Sequence, residues 1–257
     1  MGVYNRIMFK HLATTILPPA LKGPLSLLLK SRHFQFYEHG LATTHSSEFM
    51  ADSRFKKAYT AGKKTGSWGG VEVHWVAHVA CWAATIGIKL DGDFVECGVN
   101  RGGMARTILE FVDLPSSGKK FYLLDTFKGL LREHISSEES RNGIEPGGYD
   151  PCYEEVVRTF APFANCVILV KGAVPDTLPQ AAPDKLAYLS IDMNCVGPEI
   201  AAAEFYWPRM VHGAVMLLDD YGWTRHSAQK RAFDRFARER DVTILSFPTG
   251  QGLIIKP

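Results

Sequence analysis

The sequence has no marked excess of charge of either sign. Its 29 lysines and arginines stand against 27 aspartates and glutamates, which gives a formal charge of +2 at neutral pH. The two signs are interspersed without a basic stripe, so nothing points to a nucleic-acid partner. With 46% hydrophobic and 22% charged residues, the composition also argues against disorder. A chain of 257 residues can bury a sizeable core, and we predict one large α/β domain with an N-terminal extension.

Cysteine is scarce and lacks the spacing of a disulfide framework or a metal site. The chain has five cysteines, an odd number, and no C-x-x-C pair. Two of them lie in apolar, strand-like runs. We therefore interpret all five as reduced thiols and predict a cytoplasmic protein.

Long uninterrupted apolar runs are also missing. The stretch Leu12–Leu29 is fairly apolar, but Lys22 and three prolines interrupt it. It is too short and too broken to span a bilayer or to serve as a signal peptide, so we predict no integral membrane segment. We interpret residues 1–90 as an N-terminal helical extension that caps the domain as a lid. A peripheral membrane contact and a subunit-packing arm are alternative roles for its first part.

A histidine-based metal motif is incomplete. His74 and His78 stand four residues apart in the predicted helix Val71–Ile88, but neither a following glutamate nor a third ligand accompanies them, which favours core packing. The glycine-rich stretch Thr65–Gly70 precedes this helix. It is either a linker or a lid segment whose Trp68 covers a cofactor, and the sequence leaves both open.

From Asp93 onward the sequence has a regular alternation of apolar runs and helical segments, typical of a parallel, doubly wound sheet. Residues 31–70, in contrast, predict only short helices. Two final apolar runs are separated by five residues, which cannot hold a crossover helix, so they must pair antiparallel. We thus predict a seven-stranded sheet with a C-terminal hairpin in a domain spanning residues 91–257. Its strands are Phe94–Cys97, Phe121–Leu124, Val167–Val170, Leu186–Ile191, Ala214–Leu218, Val242–Phe247 and Leu253–Ile255, with helices Met104–Val112 and His226–Arg240 among the connections.

The first of these strands runs into a glycine-punctuated turn, Asp93–Gly103. Glycines let a backbone pass close to a ligand, and the following helix presents free N–H groups at its start. A dinucleotide-binding fold is also possible on this pattern. Glu96 beside a cofactor would complement a cationic amino or sulfonium group and would suit a pyrophosphate badly, which favours S-adenosylmethionine.

Ligands of doubly wound sheets bind beyond the carboxyl ends of the strands. Asp125, at the end of the second strand, is the predicted partner of the ribose hydroxyls of NAD or S-adenosylmethionine. The full set of predicted cofactor contacts is Trp68, Glu96, Gly98, Asn100, Arg101, Gly102, Asp125, Thr126, Phe127, Gly172, Ala173 and Asp192.

Three aspartates follow the fourth and fifth strands: Asp192, Asp219 and Asp220. Three carboxylates in one small space repel each other unless protons or a cation offset them. Oxygen-only ligation favours Mg²⁺, with Ca²⁺ or Mn²⁺ as alternatives. The other interpretation is that Asp220 caps the next turn and Asp219 pairs with Arg225.

Seven short motifs occur along the chain in this order: Asp93–Gly102, Leu124–Leu130, Val170–Gly172, Pro175–Leu178, Ser190–Asp192, Leu218–Gly222 and Pro248–Gly252. With them, residues 92–257 resemble the macrocin O-methyltransferase family of metal-dependent sugar methyltransferases. The resemblance implies a class I, Rossmann-like methyltransferase fold and methyl transfer from S-adenosylmethionine to a hydroxyl oxygen. It also implies a Mg²⁺ ion held by Asp192, Asp219 and Asp220.

The chain departs from the family pattern at two places. The family commonly carries a second aspartate and a tyrosine after the aspartate of the fourth strand, where this chain has Met193–Val196. It also carries a proline where this chain has Leu131. For the base that deprotonates the acceptor, the candidates are Asp192 and His226, with His134 behind them.

We therefore predict a Mg²⁺-dependent O-methyltransferase acting on a small polyhydroxylated acceptor, a sugar of a secondary metabolite or glycan. A catechol-like acceptor with neighbouring oxygens is one alternative, and a non-catalytic S-adenosylmethionine-binding protein is another. We expect the protein to form a homodimer.

Overall fold

The computed structural model describes residues 34–257, which fall into two units, the first ending at Ser47 and the second spanning Glu48–Pro257. In the first unit, strands β1 (Phe36–Glu38) and β2 (Leu41–Thr43) pair antiparallel. Their two-residue turn, His39 and Gly40, has φ values of 46° and 77°, as a tight hairpin turn requires. Residues 36–43 thus form a hairpin where short helices were expected, because a His-Gly turn allows two short strands to pair. The short helices predicted for this region follow at residues 48–51 and 53–63. The prediction for Leu12–Leu29 lies outside the described residues.

The second unit is built on the seven-stranded sheet that the sequence predicts. Its strand order is β5-β4-β3-β6-β7-β9-β8, with β9 antiparallel to β7 and β8 antiparallel to β9. The other four pairings are parallel. The doubly wound sheet with a C-terminal hairpin is therefore confirmed. The strands are β3 (Asp93–Cys97), β4 (Phe121–Asp125), β5 (Val167–Lys171), β6 (Leu186–Ile191), β7 (Met210–Leu218), β8 (Leu245–Ser246) and β9 (Gly252–Ile255).

The predicted strand Val242–Phe247 is shorter than expected. The N–H group of Val242 bonds to the carbonyl of Ala237, and Asp241 adopts a left-handed φ of 51°, so these residues still close the end of the preceding helix. Only Leu245–Ser246 pairs with β9, at the edge of the sheet, where Leu245 is 57% exposed.

Helices cover both faces of the sheet. They are α1 (Ser53–Lys63), α2 (His74–Gly87), α3 (Gly103–Phe111), α4 (Ser137–Arg141), α5 (Tyr153–Phe160), α6 (Val196–Tyr206) and α7 (Ser227–Arg238). On one face Phe94, Phe121 and Tyr188 pack against apolar residues of α2, α3 and α5. On the other face Val95 and Ile191 pack against residues of α6 and α7. Burying each large side chain contributes about 1.5–3 kcal/mol, so the sheet is held from both sides.

Helices α1 and α2 belong to the same compact unit as the sheet, because α1 packs on α3 and α2 packs on β6 and β7. This unit begins at Glu48, whereas the sequence predicts a boundary near residue 90. The lid role of residues 1–90 stays a prediction. Within the described part of the chain, no helix combines the length and the apolar character needed to cross a membrane.

Candidate functional site

The predicted site residues that follow β3, β4, β5, β6 and β7 lie at the carboxyl edge of the sheet. Gly98 directly follows β3 and lies against Asp192, which directly follows β6. Its φ is +92°, and a Cβ there would lie 1.8 Å from the carbonyl oxygen of Asp192. Gly102 has a φ of +83°, and a Cβ there would lie 2.4 Å from the Phe160 ring. Side chains at either position would displace the turn from the edge of the sheet.

Asp125 holds the glycine turn through its carboxylate. Its Oδ2 accepts the N–H groups of Val99 at 2.6 Å and Asn100 at 2.7 Å, and its Oδ1 accepts that of Phe127 at 2.6 Å. A carboxylate has about four acceptor positions, so little capacity remains for a second set of donors. The predicted ribose contact stays a prediction, beside this observed structural role.

Glu96 points from β3 into the buried layer below α3. Its side chain is 2% exposed, and its Oε2 has no hydrogen-bond partner among residues 34–257. Burial, reinforced by Asp219 and Asp125, raises the pKa of Glu96 well above its ordinary value. A buried carboxyl without a partner is costly, and a nearby cation would favour its ionised form. This environment suits the cationic group predicted beside Glu96.

The stretch around Trp68 is docked on the glycine turn. The Ser67 hydroxyl accepts the N–H of Gly103, the first residue of α3, at 2.7 Å, and the Ser67 carbonyl accepts the side-chain amide of Asn100 at 3.2 Å. Trp68 itself stacks on Tyr59, with ring centroids 5.0 Å apart. The stretch therefore supports the turn from outside, and whether Trp68 also covers a cofactor stays a prediction.

The remaining predicted cofactor residues lie at the same edge but face different partners. Arg101 forms an ion pair with Glu155 on α5. The Thr126 hydroxyl donates to the Gly129 carbonyl at 2.8 Å. Phe127 is buried with a φ of +54°, Gly172 donates its N–H to the Asp125 carbonyl, and Ala173 accepts the Thr177 hydroxyl at 3.0 Å. These contacts hold the loops that follow β3, β4 and β5 in place at the carboxyl edge of the sheet.

Asp192, Asp219 and Asp220 come together as predicted from their positions at neighbouring strand ends. One carboxylate oxygen from each lies within 4.8 Å of the others. Burial, and then the charge of Asp219, raises the pKa values of Asp192 and Asp220 well above the ordinary range. Asp220 Oδ2 is buried and has no hydrogen-bond partner among the described residues. An unpaired buried oxygen in an all-oxygen donor set fits a hard divalent cation such as Mg²⁺.

Other polar groups orient two of these aspartates. The Asn194 side-chain amide donates to Asp192 Oδ1 at 3.2 Å, and the Gln251 amide donates to Asp219 Oδ1 at 3.2 Å. Arg225, the alternative partner predicted for Asp219, donates to the Gly143 carbonyl.

His226 lies beside this group, with its Nε2 3.9 Å from Asp220 Oδ1. Its Nδ1 contacts Gln229 Oε1, and Gln229 Nε2 donates to Glu199 Oε1 at 2.8 Å. Burial lowers the pKa of His226, so its neutral form is favoured. His134 lies in the turn Arg132–His134, whose last carbonyl approaches Gly197 at the start of α6.

Sequence reasoning missed the segment 143–152, which crosses the carboxyl edge of the sheet. Near one end Arg225 donates to the Gly143 carbonyl. At the other end Cys152 donates its N–H to Phe127, after β4, and its thiol contacts the Asn100 carbonyl, after β3. Gly147 bridges to Leu130 in between. The segment therefore spans the edge from the β7 side to the β3 and β4 side.

Tyr149 is the aromatic residue of this crossing segment. It follows Gly147 and Gly148, both with φ near +80°, and its side chain is 44% exposed. Partial enclosure, and then the charges of Asp192 and Asp220, raises the pKa of Tyr149 to about 12. The phenol consequently stays protonated and can donate a hydrogen bond. The glycine pair before a tyrosine was the only sequence signal for it.

Other predicted features fall outside this edge. His78 stacks on Phe49 with ring centroids 4.0 Å apart, and His74 stacks on Tyr59 at 3.9 Å, as core packing predicts. All five cysteines are free and buried, in agreement with reduced thiols.

Known proteins of similar sequence and structure include several O-methyltransferases. The 8-demethyl-8-(2,3-dimethoxy-alpha-L-rhamnosyl)-tetracenomycin-C 4'-O-methyltransferase of Streptomyces olivaceus is 26% identical over 151 residues, which are 55% of this chain and 57% of that protein. The chain spans 57–59% of the length of the curated relatives that it matches.

Two solved structures share the fold. The O-methyltransferase NovP superimposes with a TM-score of 0.61 at 21% identity, covering 82% of this chain and 99% of that one. The O-methyltransferase from Bacillus cereus in complex with SAH gives a TM-score of 0.52 at 14% identity, covering 80% of this chain and 91% of that one. At these identities the likeness establishes the class I methyltransferase fold.

The family model described as Macrocin-O-methyltransferase (TylF) matches residues 76–245, which is more than half of the chain. This match includes the glycine turn, Asp125 and all three clustered aspartates. The chain belongs to the macrocin O-methyltransferase (TylF) family.

Proposed function

We propose that this protein transfers a methyl group from S-adenosylmethionine to a hydroxyl oxygen of a small polyhydroxylated acceptor, a sugar of a secondary metabolite or glycan, with Mg²⁺ as a second cofactor. The observation that carries the proposal is the cluster of Asp192, Asp219 and Asp220 at the same sheet edge as the glycine turn. Family membership and the rhamnosyl acceptor named for the Streptomyces olivaceus relative support it.

S-adenosylmethionine would occupy the ends of β3 to β5. Gly98 and Gly102 let the turn pack closely against Asp192 and Phe160, which holds the start of α3 at the sheet edge, and the buried Glu96 carboxyl would complement a cationic group. The SAH-bound Bacillus cereus enzyme of the same fold supports this choice, since SAH is the demethylated product of the cofactor.

Mg²⁺ would be held by Asp192, Asp219 and Asp220. When bound, it supplies positive charge that makes an acceptor hydroxyl more acidic and fixes its position. The chain itself supplies candidate proton acceptors in Asp192 and in His226, whose neutral imidazole lies against Asp220. Asn194, two residues after Asp192, carries an amide that cannot take this role at neutral pH.

Tyr149 would contact the acceptor. Its half-exposed ring and protonated hydroxyl lie near the three aspartates, so they offer a flat apolar surface and a hydrogen-bond donor where a sugar ring would sit.

The five buried free thiols fit the proposed cytoplasmic location, where thiols stay reduced. The homodimer and the lid role of residues 1–90 remain proposals from the sequence, and sedimentation of the full chain tests the first of them.

Titration calorimetry tests the cofactor before an acceptor is known. We expect heat of binding with S-adenosylmethionine and with SAH, and none with NAD at similar concentrations. Gly98→Ala tests the site, because its Cβ would meet the Asp192 backbone, whereas Gly118→Ala controls for a left-handed glycine with no atom within 4 Å. Tight NAD binding without heat from S-adenosylmethionine would contradict the proposal.

A further inference from the structure

Three buried side chains form a hydrogen-bonded chain that ends beside the clustered aspartates. Glu199 on α6 is 3% exposed, Gln229 on α7 is 1% exposed, and His226 is 8% exposed. Gln229 bonds to Glu199 on one side and to His226 on the other. Neither Glu199 nor Gln229 was predicted from the sequence as part of the site.

The direction of the Gln229 amide follows from its neighbour. Glu199 Oε1 accepts the backbone N–H of Met193 at 3.0 Å, and a backbone N–H can only donate. The same oxygen meets the Gln229 amide at 2.8 Å. When Glu199 is ionised, a reversed amide would set two oxygens against each other at that distance, so the nitrogen of Gln229 then faces Glu199 and its oxygen faces His226.

The same reasoning extends to the imidazole. Gln229 Oε1 can only accept, so the Nδ1 atom that it contacts carries a hydrogen. A neutral imidazole has one N–H group, and its Nε2 is then a lone pair. That atom lies 3.9 Å from Asp220 Oδ1.

We infer that Gln229, held by Glu199, is a positioning residue that fixes His226 in the tautomer with a hydrogen on Nδ1 and a lone pair on Nε2 toward the clustered aspartates. The inference rests on the proposed function for its purpose. A lone pair there can receive the proton that an acceptor hydroxyl gives up, whereas an Nε2–H group cannot.

Nitrogen NMR of histidine-labelled full-length protein tests the inference directly, because the two tautomers give different ring-nitrogen shifts. The spectra are recorded in chelator at about pH 8.5, where Glu199, with its pKa raised to about 7, is ionised. His226→Asn assigns the signals. We expect His226 of the wild type to be mainly Nδ1-protonated, whereas an isolated histidine favours the Nε2-protonated form.

Two variants separate the positioning role from a packing role. Gln229→Met keeps the length of the side chain but removes the acceptor at Nδ1, and should shift His226 toward the Nε2-protonated form. Gln229→Glu combined with Glu199→Gln, which restores a donor opposite the new carboxylate, keeps an acceptor at Nδ1 and should retain the wild-type tautomer. An Nε2-protonated His226 in the wild type overturns the inference even if Gln229→Met fails to fold, and so does an unchanged tautomer in a folded Gln229→Met.

The spectra need neither cofactor nor acceptor. The predicted tautomer together with absent methyl transfer would refute the proposed function and leave the hydrogen-bonded arrangement standing. Methyl transfer together with the opposite tautomer would refute only the inference about Gln229.

Discussion

Asp125 combines an observed structural role with a predicted role in cofactor binding. It accepts three backbone N–H groups, two from the glycine turn after β3 and one from Phe127 after β4. The sequence predicts a ribose contact for the same residue. Since the turn itself forms a wall of the proposed cofactor site, losing the carboxylate should disturb stability and cofactor binding together.

Asp125→Ala should lower the free energy of unfolding by roughly 2–4 kcal/mol, because partly buried N–H groups lose a charged acceptor. Urea unfolding followed by circular dichroism measures this change. Asp176→Ala, at an exposed position, is the control. A variant with wild-type stability but weak S-adenosylmethionine binding would show that Asp125 acts on the ribose alone.

Glu199 predicts a pH-dependent stability. Burial raises its pKa from 4.5 to about 7, so the folded protein holds this proton more tightly than the unfolded chain does. The stabilisation is complete below about pH 4.5 and is lost as the pH rises through about 7. It amounts to roughly 3 kcal/mol, at 1.36 kcal/mol for each pH unit between these two values.

Glu199→Gln has no such proton to lose. The difference in free energy of unfolding, variant minus wild type, should therefore rise between about pH 5 and about pH 8. Urea unfolding at both pH values, in chelator, measures it. Glu154→Gln, at an exposed position, is the control. A difference that stays constant with pH would mean that Glu199 is ionised in the folded protein throughout this range.

At the scale of elements, the strand ends bring the three aspartates and the glycine turn to one edge of the sheet, and the segment 143–152 runs along that edge. The segment is tied to both sides of the sheet edge, near Arg225 and at Phe127. Tyr149 lies between these ties and after two left-handed glycines. Its position suits contact with the acceptor more than support of the fold, because 44% of its side chain is exposed.

Tyr149→Ala should raise the KM for the acceptor about five- to tenfold, the loss expected for one aromatic contact. The affinity of the variant for S-adenosylmethionine should stay within about twofold of the wild-type value. Tyr149→Phe separates the ring from the hydroxyl, and Val157→Ala on α5 is the exposed control. Steady-state kinetics with calorimetry measures both quantities. Weakened cofactor binding with an unchanged acceptor KM would place Tyr149 on the cofactor instead.

For the whole molecule, the sequence predicts the architecture well because the strands are apolar on both faces. Strand β6 is a nearly continuous apolar run that is buried at every position. The five-residue connection before β9 leaves only antiparallel pairing. The aspartate cluster could also be predicted from the sequence, since parallel strands bring their carboxyl ends to one edge of the sheet.

What the sequence does not reveal depends on contacts between distant residues. Glu199 and Gln229 are 30 positions apart, and Asp125 and Asn100 are 25 apart, with no periodicity linking either pair. The β1–β2 hairpin escaped prediction because its strands have three residues each and its turn is His-Gly.

The central claim is that methyl transfer depends on a divalent cation held by Asp192, Asp219 and Asp220. Transfer of a radiolabelled methyl group from S-adenosylmethionine tests it, over a panel of glycosides and nucleotide-linked sugars with neighbouring hydroxyls, and a catechol. Excess chelator should abolish transfer, and added Mg²⁺ should restore it.

Asp220→Asn provides the matched variant, because it keeps the size of the side chain and removes its charge. Its activity should fall more than about a hundredfold, because losing a metal ligand should cost more than losing a residue that only supports one. Calorimetry should show that S-adenosylmethionine still binds. Full activity of the wild type in excess chelator, on any acceptor that is methylated, would contradict the account.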